Sequence, residues 1–242
     1  MKRHWKKIVA AVVVLIALVI GGSWFYAKVI NKAPAKLAPN DLIAALDAAV
    51  PPDSGAAAAT PTTSTRAPND LSGVWRALST SLVRYRVKEK INGFDSTAVG
   101  GTNSITGTVT IEGTKVRAAG FTVDMASFTS DESRRDAQFR GRVMDVAHNP
   151  TATFNITAPI QFASVPTEGK TLQAQATGEL TLRGTTKSVT FDVLAMAKNG
   201  KIGVIGSIPI VFADYGIPNP SFATVTTADN GTLEFIVVLQ RS

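Results

Sequence analysis

The sequence predicts an all-β domain of eight antiparallel strands with one short helical insertion, preceded by an N-terminal transmembrane helix. Three observations support this prediction. An uncharged, mostly apolar stretch covers residues 8–27, and eight runs of alternating apolar and polar residues follow within residues 71–242. One segment between these runs carries helix-capping residues and helical spacing instead. Residues 28–70, between the stretch and the runs, have the composition of a spacer.

The composition excludes several classes of chemistry. The chain has 242 residues, is 45% hydrophobic and contains no cysteine, which excludes a thiolate nucleophile, a cysteine-ligated metal and a disulfide framework. Its two histidines leave little for imidazole chemistry. The net charge of +7 owes four charges to Lys2, Arg3, Lys6 and Lys7. Because no basic run remains elsewhere, the sequence predicts no binding of nucleic acid.

The first 27 residues have the pattern of a membrane anchor. Residues 8–27 would span about 30 Å as a helix, which matches the hydrocarbon core of a bilayer. The cations of residues 1–7 precede this span, so we expect them in the cytoplasm and the rest of the chain outside. A cleaved signal peptide is the alternative, but its first candidate site, Ala33-Pro34-Ala35, lies far downstream and contains a proline.

Residues 28–70 are rich in proline, alanine and threonine, and we expect them to form an extended stalk. Within this stalk, Asn40 or Asp41 could cap a short helix over residues 42–46. A helix of that length is marginal on its own. The stalk would hold the folded domain away from the membrane.

The strongest strand signal is the dipeptide Asn199-Gly200, which favours a two-residue hairpin turn. With this turn, five cross-strand pairs share one face: Ala197–Ile202, Ala195–Val204, Val193–Gly206, Phe191–Ile208 and Val189–Ile210. Because Pro209 lacks an N–H group, the pairing should fray near Ile208. The eight predicted strands cover residues 79–89, 105–112, 115–124, 151–162, 172–182, 189–198, 201–210 and 232–240. Periodicity alone fits a closed barrel or a sandwich.

One segment breaks the strand pattern. Residues 129–132 have the form of a capping box, with Thr129 as the N-cap, and Gly141 supplies a stop. Two i,i+4 charge pairs lie between these ends, Asp131 with Arg135 and Asp136 with Arg140. We expect a helix of at most three turns that turns Phe139 and Ala137 inward and covers the mouth of the barrel.

Three ordered motifs resemble the YceI-like family. They lie in residues 133–154, in the Gly-Glu-Leu-Thr-Leu-Arg-Gly-Thr-Thr-Lys run from Gly178, and in residues 214–217. The resemblance covers residues 73–240 and implies a lipocalin-like antiparallel barrel that binds polyisoprenoids or similar lipids in the bacterial cell envelope. The sequence departs from the family where histidines are frequent, with residues 88–90 reading Lys-Glu-Lys and residues 138–139 reading Gln-Phe.

With this resemblance, the inward-facing residues become candidates for a lipid cavity, in which small residues between aromatic ones would leave room for the ligand. The candidates are Phe121, Val123, Phe139, Phe154, Gly178, Leu180, Phe191, Val193, Ala195, Gly206, Ile208, Phe212 and Phe235. An ordinary filled core is the alternative explanation of the same pattern. Arg134, Arg135 and Arg140 are candidates for a lipid head group, unless they only pair with neighbouring carboxylates.

The expected function is extracytoplasmic carriage, storage or sensing of a long-chain isoprenoid lipid beside the bacterial cell membrane. The sequence predicts no catalytic residue, metal or cofactor, and the expected partners are the lipid and the membrane. A homodimer is a further candidate. Two other functions stay open: a dry β-domain that recruits an envelope protein, and a hydrolase that uses His148.

Overall fold

Antiparallel strands make up most of the chain from residue 73 onward in the computed structural model, which describes residues 12–14, 21–22, 33–49 and 70–242. The strands are β1 (Gly73–Ala77), β2 (Leu82–Ile91), β3 (Phe94–Thr102), β4 (Ile105–Glu112), β5 (Lys115–Asp124), β6 (Thr129–Ser130), β7 (Thr151–Ile156), β8 (Ile160–Gln161), β9 (Thr171–Leu182), β10 (Thr185–Lys198), β11 (Lys201–Val211) and β12 (Val225–Arg241). The helices are α1 (Pro39–Ala48) and α2 (Ser133–Gln138), and α2 continues as a π-helical turn, Phe139–Val143. Single 3-10 turns cover Met125–Ser127 and Phe212–Tyr215.

Eight of the strands close into a ring in the order β1, β4, β5, β7, β9, β10, β11 and β12. The ring closes where β12 pairs with β1, with Trp75 opposite Arg241 and Ala77 opposite Leu239. The predicted eight-stranded antiparallel barrel is therefore confirmed, and the sandwich is excluded. Closure pairs the edge strands of the sheet with each other, so a domain without disulfides gains a continuous hydrogen-bonded wall.

The strands that form this ring differ from the predicted set. The predicted strand 79–89 corresponds to β2, which pairs with β12 and β3 and extends the wall at one end of the barrel. Its place in the ring is taken by β1, which the sequence analysis missed. At five residues, β1 is too short for a clear alternation, and β3 is dominated by Ser, Thr and Gly. The 17-residue strand β12 pairs with both β1 and β2 along one edge. Its last residues pair with β1, and the residues before them pair with β2.

The hairpin at Asn199-Gly200 has the predicted register. Ala197 pairs with Ile202, Ala195 with Val204, and Val193 with Gly206. The β10–β11 ladder ends at Val193 and Gly206, so the further pairs predicted for Phe191 and Val189 do not form. This is the fraying that Pro209 predicts, because a residue without an N–H group cannot donate to the ladder.

The insertion begins later than predicted. Glu132 is the N-cap of α2 and accepts a hydrogen bond from the backbone N–H of Arg134, whereas Thr129 belongs to β6, which pairs with β3. The helix also passes Gly141, because its last residues continue as the π-helical turn. Phe139 turns inward as expected, but Ala137 is exposed.

Helix α1 packs on the outer wall of the barrel. Leu42 and Leu46 are fully buried there against a cluster on β10, β11 and β12, made of Met196, Ile205, Ile236 and Val238. A Cβ atom at Gly203 would lie 2.5 Å from Cδ1 of Leu42, so this glycine allows the close approach. The short helix exists as expected, but residues 39–48 are part of the folded domain and not of an extended spacer, because their apolar face is needed to cover that cluster.

The predicted transmembrane span and the first seven residues lie almost entirely outside the described residues, which include only residues 12–14 and 21–22 of that part. No helix among the described residues has the length and apolar composition needed to cross a bilayer. Residues 50–69 also lie outside the described residues. The anchor and this part of the stalk stay predictions.

Candidate functional site

The barrel, together with β2 and the α2 insertion at one end of it, encloses two chambers. The narrow chamber, about 170 Å³, lies within the closed ring of strands, and the wide chamber, about 760 Å³, lies between β2, the start of β12 and the α2 insertion. Four residues line both chambers: Met125, Phe128, Leu182 and Leu233. The chambers therefore adjoin each other along the length of the barrel.

The narrow chamber is almost entirely apolar. Nine of the predicted cavity residues line it: Phe121, Val123, Phe154, Leu180, Phe191, Val193, Ala195, Ile208 and Phe235. The aromatic rings of Phe154, Phe191 and Phe235 form a chain of edge-to-face contacts, with centroids 5.4 Å and 5.8 Å apart. Residues of β2 and β4 that the sequence analysis missed also line it: Val83, Ile105, Val109 and Ile111. Their alternation was visible, but only the closed topology shows that they face the same space.

The wide chamber contains the other two predicted aromatics, Phe139 and Phe212. Phe139 stacks on Tyr85 with a centroid distance of 5.1 Å and contacts Phe128 at 5.0 Å, which fixes the insertion to the barrel wall. Burial raises the pKa of Tyr85 to about 12, so its hydroxyl stays protonated at neutral pH. This chamber thus combines an aromatic wall with neutral and charged polar groups.

Two predicted lining residues, Gly178 and Gly206, line neither chamber. A Cβ atom at Gly178 would lie 2.6 Å from Cζ of Phe154, and one at Gly206 would lie 2.5 Å from Cζ of Phe235. The expectation that these small residues leave gaps for a lipid is wrong, because an aromatic ring lies over each of them. The absence of a side chain instead lets the ring lie close to the wall, which leaves the centre of the barrel open.

The three head-group candidates have different surroundings. Arg135 Nη2 lies 3.2 Å from Oε1 of Glu89, and its Nη1 pairs with Asp131, as the i,i+4 spacing predicts. Burial alone lowers the pKa of Arg135, but the carboxylates of Glu89 and Asp131 outweigh it and hold that pKa above its usual value. Arg135 is therefore charged, and its charge is compensated by two neighbours.

Arg140 and Arg134 are placed differently from each other. Arg140 donates a hydrogen bond to the carbonyl of Phe128 at 3.2 Å, while its expected partner Asp136 accepts one from Ser130 at 2.6 Å. Arg134 is exposed at the rim of the wide chamber, and its guanidinium makes no ion pair with any of the described residues. Of the three, Arg134 has the charge that is available to an incoming group.

His148 lies on the surface and lines neither chamber. Its Nδ1 is 2.9 Å from Oδ1 of Asp145, and this hydrogen bond raises the pKa of the imidazole. The pair closes a turn and does not face the cavity. Among the described residues, no group of three or more carboxylates and histidines is arranged to hold a metal ion.

Comparisons with known proteins agree with this geometry. The sequence profile of one family, described as the YceI-like domain, matches residues 77–239. No curated protein sequence matches the chain. Burkholderia cenocepacia BcnA has a similar solved structure, with a TM-score of 0.54, 23% identity, and coverage of 66% of this chain and 96% of that one.

A second similar structure is a polyisoprenoid-binding domain from Saccharophagus degradans implicated in plant cell wall breakdown. Its TM-score is 0.56 at 13% identity, and the match covers 71% of this chain and 99% of that one. At these identities the two structures show a shared fold, the closed barrel described above.

Proposed function

Because this chain belongs to the YceI-like domain family, we propose that its barrel binds a long-chain isoprenoid or a lipid of similar shape. The observation that carries this proposal is the pair of adjoining chambers, which give a chain-like ligand an apolar path through the barrel. Each CH₂ group that leaves water for such a cavity gains about 0.8 kcal/mol. The name of the Saccharophagus degradans domain supports the choice of a polyisoprenoid, since that domain has the same fold.

We propose that the protein works beside a bacterial cell membrane, on its outer side, with residues 8–27 as the anchor. A bilayer offers a lipid chain nearly the same free energy as the barrel does, so the affinity of the barrel relative to the membrane is a small difference. Tethering the barrel near the bilayer raises the local concentration of the lipid without any additional contact. The proposed role is that of a binding protein and not of an enzyme.

The test is to identify the lipid that travels with the full-length chain. Ala176 faces the narrow chamber, while its neighbour Gln175 is exposed on the outside of the same strand. The chain and its Ala176→Phe and Gln175→Phe variants are purified in parallel, and the lipids that each one carries are extracted and analysed by mass spectrometry. Lipid that is purified only because it surrounds the proposed anchor should be present in the same amount in all three preparations, so a difference between them reports on the barrel.

We expect one lipid species near one molecule per barrel in the wild type and in Gln175→Phe, and its loss in Ala176→Phe. Circular dichroism and thermal unfolding show whether each variant is folded. Equal lipid contents in the wild type and a folded Ala176→Phe variant would contradict the proposal. In that case an interaction domain with an empty barrel becomes the better explanation.

A further inference from the structure

A loop beside the opening of the wide chamber carries an exposed aromatic ring. Phe222 lines the wide chamber, yet 73% of it is exposed to solvent. Among residues 70–242 it is the most exposed large apolar residue, ahead of Val211 at 48% and Val74 at 43%. An exposed aromatic at the edge of an apolar cavity is typical of a surface that contacts another apolar phase.

The loop holds this ring in place. The backbone N–H groups of Phe222 and Val225 each donate to the carbonyl of the other residue, at 3.0 Å and 2.9 Å. Arg142 donates to the carbonyls of Asn219 and Ser221, and Gln138 donates to that of Pro220, so the insertion and the loop are joined. The ring is thus presented outward by a hydrogen-bonded loop.

A cation lies at the same opening. Arg134 lines the wide chamber, is exposed, and makes no ion pair within the part of the chain that the structure describes. The nearby Arg135 is compensated by Glu89 and Asp131. An exposed aromatic ring and an uncompensated arginine that line the same chamber match the chemistry of a bilayer surface, where rings lie at head-group level and cations meet anionic lipids.

Residues 33–48, which we call the docked segment, lead toward this same end of the barrel. Arg86 on β2 donates to the carbonyls of Pro34 and Ala35, at 2.7 Å and 2.9 Å. Arg86 pairs with Thr232 on β12. Fewer residues separate this pair from Ile91, at the wide-chamber end of β2, than from Arg241, at the narrow-chamber end of β12, so the pair lies nearer the wide chamber.

Helix α1 continues from there toward the narrow end, because Asp47 pairs with Lys198 beside the β10–β11 turn. Residue 33 is therefore the part of the docked segment that lies nearest the wide chamber. Only residues 28–32 separate it from the proposed anchor, and five extended residues reach about 18 Å.

We propose that the opening of the wide chamber docks on the bilayer surface, with Phe222 inserted at head-group level and Arg134 against anionic head groups. A lipid would then pass between bilayer and barrel without crossing water. This inference rests on the proposed function and on the proposed anchor.

The absence of cysteine allows a direct test by site-specific labelling. A fluorophore is attached at Phe222→Cys or at Ser164→Cys, since Ser164 is exposed and lines the narrow chamber. Each full-length chain is reconstituted into vesicles of phosphatidylcholine and phosphatidylglycerol that carry a quencher on the lipid head groups. A lipid inside the barrel would affect both labels, so a difference between them reports on the bilayer.

We expect strong quenching and a blue-shifted emission at position 222 and neither effect at position 164. Equal quenching at the two positions, stronger quenching at position 164, or a chain that does not associate with vesicles would overturn the docking proposal. A docked chain that carries no lipid would instead overturn the proposed function alone, and a lipid-loaded chain with position 222 in water would overturn the docking alone.

The rate of lipid uptake provides a second test. Phe222→Ser removes the inserted ring, and Val74→Ser is the matched control because Val74 is an exposed apolar residue on β1, at the narrow-chamber end of the barrel. We expect Phe222→Ser to take up lipid from vesicles roughly tenfold more slowly, since the ring contributes most of the apolar contact with the bilayer. Wild-type uptake rates in both variants would contradict the docking proposal.

Discussion

Glu89 is a carboxylate inside the barrel, with only 7% of its side chain exposed. It belongs to the positions at which the sequence departs from the family pattern, and so does Phe139. Here Glu89 pairs with Arg135, and Phe139 stacks on Tyr85. The two departures thus place an ion pair and an aromatic contact between the wall and the insertion, which hold the insertion over the wide chamber.

Removal of Arg135 should therefore destabilise the fold. We expect Arg135→Met to lower the free energy of unfolding by about 2 kcal/mol, because the buried Glu89 loses its guanidinium partner. Arg117→Met is the matched control, since Arg117 and Glu112 are both about half exposed, and it should cost less than about 1 kcal/mol. Urea unfolding measures both changes.

Addition of Glu89→Gln to Arg135→Met should recover most of that loss, because the buried negative charge that Arg135 compensated is then removed. The ion pair does not hold the insertion if Arg135→Met and Arg117→Met lower the free energy of unfolding by the same amount. The same conclusion follows if the double variant is no more stable than Arg135→Met.

At the scale of the element, aromatic rings and glycines on neighbouring strands form a repeated feature of the wall. Phe235 lies directly opposite Gly206, and Phe121 lies opposite Gly107. In each pair the ring occupies the space over the glycine, so the wall gains apolar area without filling the centre of the barrel. The sequence showed both kinds of residue on the inward face, but the cross-strand register decides that they combine.

Helix α1 is the second element whose role depends on packing. Its Leu42 is fully buried on the outer wall, whereas Ala44 on the same helix is exposed. We expect Leu42→Asp to release the helix, because a carboxylate cannot be buried there without a partner. Limited trypsin digestion should then cut rapidly after Lys36, while the barrel stays resistant.

Ala44→Asp should leave the cleavage rate after Lys36 unchanged, since that residue already faces water. If the two variants are cut at the same rate, α1 is not held on the wall by its apolar face.

At the scale of the whole molecule, docking of α1 on the barrel wall changes which residues of the predicted stalk would set the distance between the barrel and the proposed anchor. Residues 50–69 follow α1 in the sequence and precede β1, so only residues 28–32 lie between the docked segment and the proposed anchor. A flexible Gly-Ser insertion after Lys32 should slow lipid uptake from vesicles, because the barrel is no longer held close to the bilayer.

The same insertion after Thr60 is the matched control and should leave the uptake rate unchanged. Equal rates in the two insertion variants would mean that residues 28–32 do not set the position of the barrel. Equal slowing by both insertions would mean that α1 does not stay docked on the barrel wall, because both insertions would then lengthen the connection to the proposed anchor.

Most of the strands and the central hairpin could be predicted because their signals are local. The Asn199-Gly200 turn and the alternation around it fix the register of β10 and β11 without any other part of the chain. Local signals did not predict β1, because this strand is short. They also predicted Thr129 as the N-cap of α2, whereas Glu132 is the N-cap and Thr129 belongs to β6. In both places a partner distant in sequence decides the outcome.

The sequence by itself determined the all-β domain, its central register and eleven of the thirteen candidate positions now found around the two chambers. Alternation along a strand suffices for this, because successive side chains must point to opposite faces. Only the tertiary structure decided that β1 closes the ring, that rings cover Gly178 and Gly206, and that α1 belongs to the domain. These features depend on contacts between residues far apart in the chain, and no periodicity within one segment can specify them.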